Sequence, residues 1–213
     1  MDWYATNLVS GEKTGINAKN ETKGQVPKLK SGFAVNHMSS HGDDFKVTAL
    51  QLATLTSAMV NGGKLITPFV PRTRQDEARS MPQVRRLVNI SAESFNQMAP
   101  GMIGSVSYGS GRRAANSQEI IAGKTGTAQV VQLPDHNASP GRQQYLPEQY
   151  RHHAWFVAYA PFEAPRIAVV VMIEHAGKGG SQFAGYAKTL IEAYLRQSYP
   201  VAAMPLKTTN LTR

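Results

Sequence analysis

Apolar positions recur at helical spacing in three stretches of the chain and crowd into two almost unbroken runs. The first helical stretch follows Thr48. That residue can cap a helix, Gln51 three places on completes a capping box, and Val47 is placed to staple onto Leu52. Gly62 and Gly63 end it. Leu50, Leu52, Ala53, Leu55, Ala58 and Met59 cover so much of its circumference that a buried helix under a sheet is expected. A second helix, capped by Ser91, carries Phe95, Met98, Met102, Ile103 and Val106. Its methionines read as core filling, and Pro100-Gly101 is expected to kink or split it. A third, beginning at Ser181, carries Phe183, Ala187, Leu190, Ile191, Tyr194 and Leu195 on one face. The two apolar runs, 154–160 and 166–174, read as strands covered on both faces and joined by a tight connection. Val84 to Ile90 reads as a short strand, and a further extended segment spans 119–132. The pattern predicts an α+β fold in which 119–132, 154–160 and 166–174 are consecutive antiparallel strands, with a helix over 182–197 across one face.

The remaining segments lack periodicity. Residues 1–46 are rich in Gly, Lys, Asn and Ser and read as loops and turns, an irregular lead long enough to suggest that it packs against something else. His37 and His41 stand four apart, a spacing that can bind zinc from one helix face, but no metalloprotease glutamate or obvious third ligand accompanies them, so no metal is expected. The Gln-, Pro- and Gly-rich stretch from Val131 to His153 is too long for a tight hairpin and reads as a loop, or lid, beside a cleft. Residues 200–213 read as a loose tail.

Composition narrows the classes. At 213 residues, 41% hydrophobic and 17% charged, the chain can build one domain with a core. No run approaches the roughly 18 apolar residues of a membrane span. The absence of cysteine excludes disulfides, thiolate metal sites and thiol nucleophiles. A net charge of +9 would suit an anionic partner. The densest basic group (Arg72, Arg74, Arg79, Arg85, Arg86, Arg112 and Arg113) has no interleaved aromatics and reads as a solvated face, so nucleic acid is not an expected partner.

The chemistry concentrates at Gly123-Lys124-Thr125-Gly126-Thr127-Ala128-Gln129, where a lysine, two hydroxyls and two glycines share a short extended segment suited to holding an anion. A phosphate-binding P-loop needs a glycine five residues before Gly123, where Gln118 stands, and a helix after it, where Ala128-Gln129-Val130-Val131 is a poor helix start. The other family with such an element is the serine acyl-enzymes. The order of this motif, the 154–160 and 166–174 strands downstream and the 48–61 helix upstream resembles the transpeptidase domain of penicillin-binding proteins, especially the class B type, from about Gly11 to Tyr194. The turn Gly109-Ser110-Gly111 only loosely matches the family's Gly-Thr-Ala, and Ala158 stands where the family more often has glycine.

The resemblance implies that Lys124 and Thr127 serve catalysis, with Lys124 supplying charge near the reacting serine. It implies that Thr125, Gly126 and Thr127 bind the carboxylate of a stem peptide or β-lactam, with the Thr127 N–H completing an oxyanion hole. No cofactor is implied. The family's nucleophilic serine and base lysine lie in an S-x-x-K motif, followed by S-x-N, both upstream of the matched part. The chain is therefore expected to begin after them, with 1–199 as the C-terminal portion of the domain. Ser10-Gly11-Glu12-Lys13 fits S-x-x-K literally, but its glycine weakens a helix start, and Glu12-Lys13-Thr14-Gly15-Ile16 better matches the family's loop after S-x-N. Ser94-Phe95-Asn96 fits S-x-N but falls after the 48–61 helix instead of before it. The expected partners are peptidoglycan stem peptides, β-lactams, the N-terminal part of the same domain and other cell-wall synthesis proteins. The expected location is the extracytoplasmic face of the bacterial membrane. A β-lactamase, a β-lactam sensor and a non-catalytic binding module stand as alternatives.

Overall fold

The computed structural model describes residues 11–27, 45–79, 81–130 and 146–197. In chain order the elements are α1 (Ala49–Val60), β1 (Lys64–Thr67), α2 (Arg74–Arg79), β2 (Gln83–Leu87), α3 (Ala92–Ser107), β3 (Ala122–Ala128), β4 (His153–Ala160), β5 (Ile167–Ile173) and α4 (Ala184–Arg196). Strands β3, β4 and β5 form an antiparallel sheet in that order, and β1 pairs with β2 in a second, two-stranded sheet. This is the expected α+β arrangement, with α4 packed on β4 and β5. Strand β1 and helix α2 had no counterpart in the sequence reading; each is short, four and six residues.

Helix α1 starts as its sequence dictates. The Thr48 hydroxyl accepts from Gln51 N (3.1 Å) and the Gln51 side chain accepts from Thr48 N (2.8 Å), closing both halves of the capping box. Past Asn61 the backbone turns through Gly62 and Gly63, both at φ +80°. A Cβ at 63 would run into the Val88 carbonyl, whose own amide donates to Gly63 O at 2.7 Å.

The buried side of α1 is not the apolar one. Gln51, Thr54, Thr56 and Ala58 are buried, while Leu50, Leu52, Leu55 and Met59 stay partly exposed. The polar residues can go inside because each closes its hydrogen bonds there: Thr54 Oγ1 donates to Gln51 O and Thr56 Oγ1 to Leu52 O. Gln51 does more, donating from Nε2 to the carbonyls of Glu12 (2.8 Å) and Lys23 (2.9 Å), so it ties the irregular 11–27 segment to the helix start. Replacing Gln51 with leucine keeps the bulk but strips the partners from two carbonyls and one amide. It is expected to lower unfolding free energy by about 3 kcal/mol. Urea denaturation checks this; a midpoint unchanged at constant slope would contradict it.

The main sheet is covered unequally. Ala154, Phe156, Ala158 and Ala160 of β4 point to one face, where they meet Val169 and Val171 of β5, Ala184, Ala187 and Ile191 of α4, and Val106 of α3. On the other face α1 packs against β5 and β4, as expected of a helix under the sheet, and Met102, Met59, Phe95, Ile103 and Phe162 close over Tyr159 and Ala122. Trp155, Val157, Val170 and Met172 on that face remain partly exposed, so its cover is incomplete.

Three boundaries also differ. Strand β3 begins at Ala122, not 119, because the Asn116 side chain accepts from the amides of Gln118 and Glu119 and folds that segment into a turn. Helix α3 runs unbroken through Pro100; the missing N–H falls on an exposed position where water can serve the freed carbonyl, and Met98 is exposed instead of filling the core. Helix α4 is preceded by a 3₁₀ turn, Gly180–Gln182, so Ser181 lies in that turn instead of capping the helix, and Leu190 points outward. Residues 1–10, the His37–His41 pair, the 131–145 part of the suggested lid and the 200–213 tail lie outside the described residues.

Candidate active site

The chain carries Lys-Thr-Gly twice, and the structure gives the two copies opposite surroundings. At 13–15 it is a loop: Thr14 is fully buried, its amide and hydroxyl both donate to Glu21, and Gly15 has φ +82°. Burial disfavours the Glu21 carboxylate, but the bonds from Thr14 and Gly15 and the nearby Lys13 charge outweigh it and hold its pKa below the ordinary value. The loop is clamped onto β2, where Arg85 and Arg86 pair with Glu12 at 3.0 and 3.1 Å and Arg85 also donates to the carbonyls of Lys13 and Thr14. This copy is structural.

At 124–126 the motif lies on β3, which among the described residues is an edge of the main sheet, paired with β4 alone. Half of the strand's backbone N–H and C=O groups therefore point away from the sheet, available to an extended ligand. Thr125 and Thr127 stand opposite Phe156 and Ala154, on the α4 side, and Lys124 and Gly126 opposite Val157 and Trp155, on the partly open face. Lys124 is exposed, and its ammonium bends back to the Thr125 carbonyl at 2.6 Å. Thr127 is exposed and Thr125 partly so. The glycines differ in purpose. A Cβ at 123 would sit 2.7 Å from Phe156 Cζ, so Gly123 makes room for the core. At Gly126 a Cβ would meet Trp155 Cβ at 3.3 Å and Trp155 O at 4.0 Å, so that position is far less crowded.

Two segments that the motif does not announce complete the surroundings. Ser110, in the turn after α3, places its hydroxyl 2.7 Å from that of Thr125. From the other side comes the 3₁₀ turn Gly180–Gln182. Gly180 lies against the carbonyls of Trp155 and Gly126, and a Cβ at Gly179 would be 3.2 Å from Thr127 Oγ1. Ahead of that turn, a histidine arrangement joins the ends of β4 and β5: His175 N donates to His153 Nδ1 at 2.9 Å, the two rings meet edge-on at 4.7 Å, and Gly177 N donates to His152 O. Burial and the neighbouring His153 push the His152 pKa down. Burial and His175 do the same to His153, against the pull of Glu174. Among the described residues no group of three or more His, Cys, Asp or Glu side chains is placed to hold a metal ion.

A family model for the penicillin binding protein transpeptidase domain matches residues 1–192. The chain belongs to that family. This transpeptidase domain chain is 31% identical over 207 residues to the peptidoglycan D,D-transpeptidase MrdA of Haemophilus influenzae, covering 89% of this chain and 32% of that protein. It is 30% identical over 205 residues to stage V sporulation protein D of Bacillus subtilis, covering 92% of this chain and 30% of that protein. The structure of Pseudomonas aeruginosa PBP2 in complex with WCK 5153 superposes with a TM-score of 0.69 at 26% identity, covering 91% of this chain and 43% of that one. The chain spans about a third of the length of these curated relatives.

Within the transpeptidase chain, sequence reasoning located Lys124, Thr125, Gly126 and Thr127, and the structure keeps all four on one edge strand. It missed Ser110 and Gly180 as neighbours of that strand. For Ser110 the signal was a serine between two glycines, a turn that can bring a hydroxyl close to a strand. For Gly180 it was the Gly177-Lys178-Gly179-Gly180 run directly after an apolar strand.

Proposed function

We propose that this chain supplies the Lys-Thr-Gly wall of a serine D,D-transpeptidase site that cross-links peptidoglycan stem peptides and is acylated by β-lactams. The observation that supports this reading best is an edge strand that carries an exposed lysine, an exposed threonine and a partly exposed one in the order of the family's Lys-Thr-Gly element. The names of the relatives favour a transpeptidase over a β-lactamase, a sensor or a non-catalytic module. Thr125 and Thr127 hold the ligand carboxylate, and Lys124, on the other face of the strand, adds positive charge near the reacting serine. The Thr127 N–H donates to the oxyanion that forms when a serine Oγ attacks the D-Ala–D-Ala carbonyl. The peptide C–N bond then breaks, D-alanine leaves with a proton, and an amine displaces the serine from the acyl-enzyme, returning a proton to the site. With a β-lactam the ring amide opens, and its nitrogen stays attached, so no group departs.

The serine belongs to an S-x-x-K segment upstream in the complete domain. The partly exposed face of Trp155, Val157, Val170 and Met172 beside Lys124 supports packing of that upstream part here. The full protein works at the extracytoplasmic face of the membrane, with other cell-wall synthesis proteins as partners.

Intact-mass spectrometry after incubation with a reactive penicillin tests the reading. The polypeptide that joins this chain to an upstream S-x-x-K segment is expected to gain one penicilloyl mass, and the 213-residue chain alone to gain none. A stoichiometric adduct on the chain alone that vanishes in Ser10→Ala would restore Ser10-Gly11-Glu12-Lys13 as the working motif. No adduct on either would end the acyl-enzyme reading.

A further inference from the structure

Between the end of β5 and the 3₁₀ turn Gly180–Gln182 the chain reverses through residues 174–179, and three contacts tie this reversal to the start of β4. His175 N donates to His153 Nδ1 at 2.9 Å, Gly177 N donates to His152 O at 3.1 Å, and His175 Nδ1 stands 3.3 Å from the Arg151 carbonyl oxygen. Two of the three end on carbonyls, which accept at any pH. The first ends on an imidazole nitrogen, which accepts only while it carries no proton. That bond therefore requires a neutral His153 with its hydrogen on Nε2.

The bond holds a backbone that would not stay in place unaided. His175 has φ +49°, the one left-handed residue other than glycine among the described residues, and such a conformation persists only where its surroundings fix it. Gly177, left-handed and buried, follows over the Arg151 side chain, where a Cβ would lie 3.0 Å from Arg151 Cδ. The reversal then delivers the glycines that flank the Lys-Thr-Gly strand: a Cβ at Gly179 would stand 3.2 Å from Thr127 Oγ1, and Gly180 lies against the carbonyls of Trp155 and Gly126. His153 is itself paired with Ala128, the neighbour of Thr127, so one side chain connects the end of β3 to the turn beside it.

Around His153 stand His152 on its own strand, His175 with its ring edge-on at 4.7 Å, Arg151 two residues before it, Glu174 at the end of β5 and the exposed Lys178 of the reversal. Strand β3 brings Lys124, on the same face but four residues from Ala128, and α1, which packs on this face, brings no charged residue. Burial and then His175 lower the His153 pKa, and Glu174 only partly offsets them, so the ring titrates below the ordinary histidine value of about 6.5. A lowered folded-state pKa makes the neutral, bonded arrangement fully present above that value and loses it as the pH falls.

We propose that His153 is a positioning residue that, while neutral, holds the 174–179 reversal and with it the turn beside Thr127, and that releases both when it is protonated. A proton on Nδ1 faces the His175 N–H, donor against donor, so the bond is lost and His175 is free to leave its left-handed backbone. Acylation slows as the turn moves off the strand. That consequence rests on the transpeptidase reading above; the release of the turn does not.

The test uses the polypeptide that carries the upstream S-x-x-K segment, unsubstituted and as His153→Asn and His153→Ala. Asparagine places Oδ1 one bond beyond Cγ, where histidine has Nδ1, so it can accept from His175 N at any pH; alanine can accept at none. Hydrogen–deuterium exchange of the 174–182 segment, corrected for the intrinsic pH dependence of exchange, is followed from about pH 7.5 to about pH 5.5. Across that range it is expected to quicken about fivefold in the unsubstituted protein, the equivalent of one net hydrogen bond, to stay slow in His153→Asn and to be fast throughout in His153→Ala. The benzylpenicillin acylation rate of the unsubstituted protein divided by that of His153→Asn cancels the titrations the two share, and it is expected to fall about fivefold over the same range. Exchange in the unsubstituted protein that does not respond to pH overturns the proposal, whatever the variants do. Responsive exchange with a constant rate ratio overturns the positioning role and leaves His153 to the scaffold. Responsive exchange with no acylation at any pH upholds the release of the turn and overturns the transpeptidase reading alone.

Discussion

Lys124→Ala is expected to slow acylation by a β-lactam about a hundredfold in the complete domain, with the thermal midpoint unchanged. The side chain is exposed, packs into none of the three apolar clusters and makes its recorded bond to the carbonyl of its own neighbour, Thr125, so its removal leaves no cavity and strands no buried partner. What is lost is a positive charge beside the place where carboxylate and oxyanion charge gather. That loss weighs more the less water reaches the site. Stopped-flow acylation alongside a thermal melt separates the two readings. A normal rate, or a midpoint that drops by several degrees, would assign Lys124 to the scaffold.

Gly180→Ala is expected to act in the opposite way, lowering stability by about 3 kcal/mol and removing acylation with it. Its φ is not in the left-handed region, so a backbone preference is not the cause. The obstacle is that an added methyl group would run into the Trp155 carbonyl and lie within 3.2 Å of Gly126 O, both fixed sheet backbone that cannot step aside. The 3₁₀ turn would have to lift off β3 and β4, taking Ser181 and Gln182 away from the Lys-Thr-Gly strand. Gly126→Ala is the matching control, since its Cβ comes no nearer than 3.3 Å to a side-chain carbon and 4.0 Å to the Trp155 carbonyl oxygen; the fold should tolerate it while ligand approach is impaired. Denaturant titration of both variants distinguishes them. Equal stabilities would show that the turn at 180 is free to move.

The reach of the sequence can be traced element by element. Thr48 and Gln51 announced their capping box because both partners lie three residues apart, and the structure closes it as read. The β4–β5 hairpin followed from two apolar runs with a short connection, and their register left little choice once one face was buried. The ends of β3 were less legible. An asparagine side chain at 116 competes with the sheet for the amides of 118 and 119, and nothing in the apolar pattern signals that competition.

Burial departed from the pattern in both directions. Hydrophobicity predicts which side chains gain by leaving water, but not whether a surface is present to receive them. Leu50, Leu52 and Leu55 therefore remain partly exposed, while Gln51 goes inside because two carbonyls of the 11–27 segment wait for its amide.

By itself the sequence determined the fold class, the order of the three main strands and the placing of Lys124, Thr125, Gly126 and Thr127 on one extended segment. Each of these depends on local periodicity or on residues adjacent in the chain. Only the tertiary structure decided which of two Lys-Thr-Gly copies is free to bind a ligand, because the difference lies in partners far along the chain: Arg85 and Arg86 clamp the 13–15 loop, while sheet edge leaves 124–126 accessible. It also brought Ser110 and Gly180 to that strand. Pairwise spacing along a chain carries no information about which distant turns a sheet edge will gather, since that is set by how the packed core positions them.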